Sequence, residues 1–124
     1  MINKPHKELN VWKKSLNLIT KVYKITRSFP RYEQYGISIQ MRKSSLSVAS
    51  NIAEGAARQT KKEFIQFLHM AQGSLSELDT QVEASKQLGY LQEKDIKDLS
   101  NNAIEIDKMI TGLIKSLKKI PPPS

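Results

Sequence analysis

Apolar residues recur along this chain at alternating spacings of three and four, and the pattern appears four times. The first run is Leu9, Trp12, Leu16, Ile19, Tyr23 and Thr26. The second is Met41, Ser45, Val48, Ile52 and Gly55, with small residues in the seam. The third is Phe64, Leu68, Ala71, Leu75, Leu78, Val82, Ser85 and Gly89, and the fourth Ile96, Leu99, Ala103, Ile106, Ile110, Leu113, Leu117 and Ile120. Such spacing lays one apolar stripe along each of four helices. No segment shows the period of two that a half-buried strand requires.

Local signals set the boundaries. Pro30 disfavours helical geometry at Phe29 and ends the first helix. Gly36 lies near the start of the second. Thr60-Lys61-Lys62-Glu63 reads as a capping box, the Thr60 hydroxyl accepting from the Glu63 amide while Glu63 reaches back. Gly89 suits the left-handed residue that closes a helix, and Glu93 and Asp95 complement the dipole of the next. These signals predict helices over about 8–28, 36–58, 61–88 and 93–120, with a proline-rich tail at 121–124. Short connections between helices of similar length give the expected fold class. It is all-α, one domain over residues 1–124, an antiparallel up-down-up-down four-helix bundle.

The first helix carries a second stripe. Val11, Leu18 and Ile25 repeat at a spacing of seven, with Val22 between the two stripes, while Lys7, Lys14 and Lys21 repeat on the outer face. Leu46 and Ala53 in the second helix and Phe67 in the third also lie off their own seams. Two readings follow. In one, Val11, Leu18, Val22, Ile25, Leu46 and Phe67 form contacts between subunits of a homo-oligomer. In the other, they broaden the core of a single bundle.

Charge adds a possible partner class. The net charge of +8 is uneven: residues 1–62 hold 13 Lys/Arg against 3 Asp/Glu, and residues 63–124 hold 7 against 9. A basic half points to a polyanion, nucleic acid first, with a merely solvated lysine face as the alternative. The absence of cysteine excludes disulfides and thiolate metal sites. No leader-like segment and no apolar run of membrane-spanning length is present, so the expectation is a cytoplasmic protein with no membrane partner.

Candidate chemistry is sparse. Gln66, not Glu, stands three residues before His69, which argues against the Glu-x-x-His metal sites of helical bundles. Ser44, Ser45, Ser47 and Ser50 lack a nucleophile-elbow context, and the five glycines are too scattered for a phosphate loop. The expectation is a protein with no catalytic residue, metal or cofactor. The unusual stretch is Ser50-Asn51-Ile52-Ala53-Glu54-Gly55-Ala56-Ala57-Arg58. Gly55 there implies close backbone approach or a bend. Asn51 and Glu54 flank a seam residue, and Arg42, Arg58 and the Ser74 and Glu77 pair of the third helix are candidate partners in a polar network. That network either fixes helix register or belongs to a binding surface.

At this stretch the chain resembles the four-helix-bundle family encoded in intervening sequences of bacterial 23S ribosomal RNA genes. The matching segments are Leu9-Asn10-Val11-Trp12-Lys13-Lys14-Ser15, Tyr35-Gly36-Ile37, Gln40-Met41-Arg42-Lys43, Ser50 to Gly55, Lys61-Lys62-Glu63-Phe64, Gly73 to Leu78 and Gly89-Tyr90-Leu91. Val48-Ala49-Ser50 departs from a pattern that often has proline before the serine, so a local bend in the second helix is not implied. The resemblance implies an antiparallel bundle assembled as a ring-shaped homopentamer. It also extends to the accessory variability proteins of diversity-generating retroelements, basic pentamers that engage a reverse transcriptase and nucleic acid.

Two functional expectations follow. The first is a non-enzymatic oligomer that binds RNA or DNA through phosphate contacts, with Arg42, Lys43, Arg58, Lys61 and Lys62 as one cluster and Lys14 and Lys21 as secondary candidates. The second is a scaffold for a protein partner, such as a polymerase or ribosomal component, without direct nucleic-acid binding.

Overall fold

The computed structural model describes residues 1–119 and is an all-α four-helix bundle. A 3-10 turn at Pro5–Glu8 precedes α1 (Asn10–Thr26), and a second at Arg31–Glu33 lies between α1 and α2 (Ile37–Ala56). Then come α3 (Lys61–Gln87) and α4 (Glu93–Lys119). Four of the predicted boundaries shift by one or two residues, and α1 also begins two residues later because Pro5 supports a separate 3-10 turn. Ile120 and the proline tail lie outside the described residues.

Paired residues establish the antiparallel order. Met41 meets Ser85 and Ser47 meets Ser74, so α2 and α3 run in opposite senses. Lys86–Glu93 and Gln72–Thr111 do the same for α3 and α4. Lys14–Glu105 and Lys21–Asp98 bring α4 back alongside α1 and close the bundle. The most extensive packing is between α2 and α3.

Gly55 explains that closeness. A Cβ added there would stand 2.8 Å from Phe67 Cβ and 2.9 Å from Phe64 Cδ1, so α3 lies where only a glycine leaves room. Thr60 caps α3 by accepting from the Glu63 amide at 3.2 Å, as the sequence predicts. The Glu63 carboxylate accepts from the Thr60 hydroxyl at 2.9 Å instead of reaching the Thr60 backbone. At the far end of α3, Gly89 has φ +80°, the Tyr90 amide donates to the Ser85 carbonyl, and the Gly89 amide donates to the Lys86 carbonyl. This pair of bonds satisfies the last carbonyls of the helix.

The core holds the predicted seam of α2, that of α3 from Leu68 to Ser85 with Phe64 half-buried and Gly89 exposed, and Leu99, Ile106 and Ile110 of that of α4. In α1 the core centres on the second stripe, with Thr26 of the predicted seam buried and Leu9 and Trp12 packed at its edge. Leu18 and Val22 are fully buried within the single chain and Val11 nearly so, while Leu16 of the predicted seam is 38% exposed. Val11, Leu18 and Val22 are therefore core residues and not the outward face of an assembly. Ile25 also packs on the core. The buried stripe includes Ser15 and Thr26, whose hydroxyls donate to the carbonyls of Val11 and Val22 at 2.8 Å. Each satisfies its own polar group within the helix, so burial leaves nothing unpaired.

Candidate nucleic-acid interface

The seven basic residues singled out from the sequence do not form one surface. Arg42 and Arg58 stand at opposite ends of α2, about 24 Å apart along its axis. Arg42 is half-buried, its Nε donates to Thr26 Oγ1 at 2.9 Å, and its guanidinium lies 4.6 Å from the Tyr23 ring centroid. Lys43 beside it is exposed. Lys14 and Lys21 are engaged with Glu105 at 2.7 Å and Asp98 at 3.0 Å, and they bind α1 to α4. The expected group of five therefore divides, with Arg58, Lys61 and Lys62 at the α2–α3 turn and Arg42 and Lys43 near the start of α2.

The fold supplies the α2–α3 turn with basic neighbours that the sequence order conceals. Antiparallel packing brings the start of α1, the end of α2, the start of α3 and the end of α4 to one end of the bundle. Residues 4–13, 53–64 and 115–119 together hold nine cations: Lys4, Lys7, Lys13, Arg58, Lys61, Lys62, Lys115, Lys118 and Lys119. They face three carboxylates, Glu8, Glu54 and Glu63, for a net of +6. Among the described residues only Arg58 of these nine has a carboxylate within ion-pair distance, Glu54 at 2.7 Å. Arg58 also lies 4.8 Å from the Phe67 ring centroid, which holds its guanidinium over the end of α3. Lys115, Lys118 and Lys119 were missed because the second half of the chain is net acidic. Their recurrence in the last turns of α4 was the available signal.

The polar network is real but smaller than predicted, and it includes Ser47. Asn51 Nδ2 donates to the Ser47 carbonyl at 2.9 Å and to Ser47 Oγ at 3.1 Å. Ser47 Oγ and Ser74 Oγ are 2.8 Å apart, and Ser74 donates to the Met70 carbonyl at 3.3 Å. One hydroxyl proton from each serine completes the chain, which ties α2 to α3. Glu54 turns away to Arg58, and Glu77 is exposed, so neither belongs to it.

Of the other residues expected at a subunit contact, Phe67 is half-buried against Gly55 and Arg58, and Leu46 is 41% exposed. Leu46 lies one turn beyond Arg42, which marks the α1 side of α2. Leu16 falls on the Tyr23 side of α1 by the same periodicity. The two leucines therefore flank the outer α1–α2 groove.

At the other end of the bundle, Tyr90 packs on Phe29 with ring centroids 5.2 Å apart. Its hydroxyl is 3.3 Å from that of Tyr32. The Tyr32 hydrogen bond, then burial and the nearby Glu33 carboxylate, push the Tyr90 phenol well above its usual range. Among the described residues no cluster of His, Asp and Glu has the grouping a metal ion needs, and no helix is long and apolar enough to cross a membrane.

These features define an antiparallel four-helix bundle with a strongly basic end and a smaller exposed apolar strip. The chain belongs to the 23S rRNA-intervening sequence protein family, which it matches over residues 7–112. It is similar to a solved Bacteroides thetaiotaomicron protein of unknown function from the S23 ribosomal protein family. That likeness is 25% identity over 85% of this chain and 98% of the other, with a TM-score of 0.76. None of the curated proteins matches the chain.

Proposed function

We propose that this protein is a non-enzymatic, basic homo-oligomer that binds RNA through the lysine-rich end of its bundle. The observation that carries the reading is the meeting of nine cations and three carboxylates on surfaces drawn from all four helices. Eight of the nine lack an ion-pair partner among the described residues, which leaves them available to phosphate oxygens. Flexible lysines contact phosphates without reading bases, so binding is steeply salt-dependent and weakly sequence-specific. The Leu16–Leu46 strip provides an apolar surface for self-association, and the family resemblance implies five copies. A ring repeats the basic end and multiplies its field.

The same strip favours a second reading, a scaffold that seats a different protein. Fluorescence polarisation with a structured RNA and a duplex DNA across a salt series tests the first reading, at a concentration where light scattering has set the oligomeric state. The expected result is an oligomer that binds tightly at low salt, prefers RNA and weakens steeply as salt rises. Absence of binding at low salt discards the RNA reading and leaves the scaffold. A monomeric mass removes self-assembly, whereas L16D/L46D converting an oligomer to monomers supports it.

A further inference from the structure

At the end of the bundle opposite the lysines, the α1–α2 connection encloses an open cleft of about 340 Å³. Three arginines line it, Arg27, Arg31 and Arg42, together with Thr26, Gln34 and Ser38, and no Asp or Glu is among the lining residues. Such a concentration of guanidinium without a counter-charge is electrostatically unfavourable in an empty site and favourable around an oxyanion.

The three arginines have different roles. Arg42 is fixed: its Nε is used on Thr26 Oγ1 at 2.9 Å and its plane rests against Tyr23, 4.6 Å from the ring centroid. Its two terminal nitrogens make no hydrogen bond to the described protein, so they are free donors on a pre-oriented group. Arg27 and Arg31 are exposed and can close over a ligand from the connection.

Ser38 adds a hydroxyl to these donors. It is only 6% exposed and lines the cleft, yet its hydroxyl makes no hydrogen bond among the described residues. The hydroxyl itself is not sealed from solvent, so it is a donor open to the cleft. Ser38 also sits in the first turn of α2, after Gly36, which gives no side-chain cap, so the amides of that turn are not capped by the chain.

We infer that the cleft is a discrete site for a phosphomonoester, held by Arg42, Arg27, Arg31 and the Ser38 hydroxyl. A terminal phosphate presents three oxygens to these donors, whereas the internal phosphates of a nucleic-acid strand present only two unesterified ones. The shared chemistry has two sources, a free phosphate or mononucleotide and the 5′-phosphorylated end of a strand. The site is separate from the lysine end and does not depend on the reading proposed for it.

Amide and arginine Nε–H NMR shifts of the full chain are followed on titration with inorganic phosphate, a nucleoside 5′-monophosphate, and one short oligonucleotide bearing either a 5′-phosphate or a 5′-hydroxyl. Saturable shifts at Arg42 Nε and the Ser38 amide are expected. R27A/R31A, which removes two exposed side chains, weakens the binding at least about tenfold, and S38A weakens it less. Equal affinity for phosphate, mononucleotide and 5′-phosphorylated strand assigns free phosphate compounds, and tighter binding of the phosphorylated strand than of its hydroxyl counterpart assigns the strand end. Either outcome supports the site. No shift at Arg42 and Ser38, or shifts unchanged in R27A/R31A, overturns it.

Discussion

The two ends of the bundle differ in how they hold their cations. At the α2–α3 end, residues 4–13, 53–64 and 115–119 carry nine cations against three carboxylates. The equivalent turns at the other end, residues 23–42 and 84–96, carry six cations, Lys24, Arg27, Arg31, Arg42, Lys86 and Lys94, against Glu33, Glu93 and Asp95. The first end is mostly lysine, exposed and unpaired, a surface suited to many loose phosphate contacts. The second concentrates arginine in one cleft and orients Arg42 with a hydroxyl and an aromatic ring. Abundant mobile charge favours a long polyanion; a few fixed donors favour one small group.

Glycine substitutions at the two ends give the largest expected contrast. G55A forces a methyl group to within 3 Å of Phe64 and Phe67 side chains, and also presses on the Phe64 carbonyl at 3.2 Å. The α2–α3 contact must open, at a cost of about 2 kcal/mol in urea unfolding. G89A meets no atom within 4 Å, and its cost of about 1 kcal/mol comes from φ +80° alone. If G55A is the milder of the two, the tight closure of the lysine end is wrong.

Arginine truncation gives the next contrast. R42Q loses the Thr26 bond and the Tyr23 contact of a half-buried guanidinium, and should lower stability by about 1 kcal/mol. R58Q loses a largely exposed Glu54 pair and a surface ring contact, and should cost a few tenths, about 0.5 kcal/mol or less. Equal losses in thermal unfolding would show that Arg42 is not held more firmly than Arg58.

Much of this architecture was legible from periodicity. The seams of α2 and α3, the Thr60 cap and the Gly89 stop needed only local chemistry. The α1 seam did not follow hydrophobicity, because Ser15 buries a hydroxyl satisfied by its own helix while Leu16 stays outside. The basic end was hidden for a topological reason. Lys115, Lys118 and Lys119 lie more than fifty residues from Lys61 and Lys62 in a segment of net negative charge, and only the antiparallel return of α4 brings them to the same end. Conversely, nearness in sequence joined Arg42 to Arg58, which the length of α2 separates.

The smallest expected effect is in pH. Tyr90 keeps its proton in the folded chain beyond the ordinary phenol value of about 10, through its bond to Tyr32 and then through burial and Glu33. Because the folded value is raised, the contribution is full below the unfolded phenol range and declines as pH rises above it. An ultraviolet phenolate titration should therefore show one tyrosine lagging the others, and Y32F should reduce that lag.

The most direct test of the central claim compares charge reversal at the two ends against a 5′-hydroxyl RNA, so that no terminal phosphate engages the arginine cleft. K61E/K62E and R27E/R31E each exchange two exposed or half-exposed cations for carboxylates, and circular dichroism verifies their helix content. The account predicts that K61E/K62E weakens low-salt RNA binding by at least about tenfold and flattens the salt slope, while R27E/R31E changes it only slightly. Equal losses from both variants, or a larger loss from R27E/R31E, would contradict the assignment of RNA binding to the lysine end.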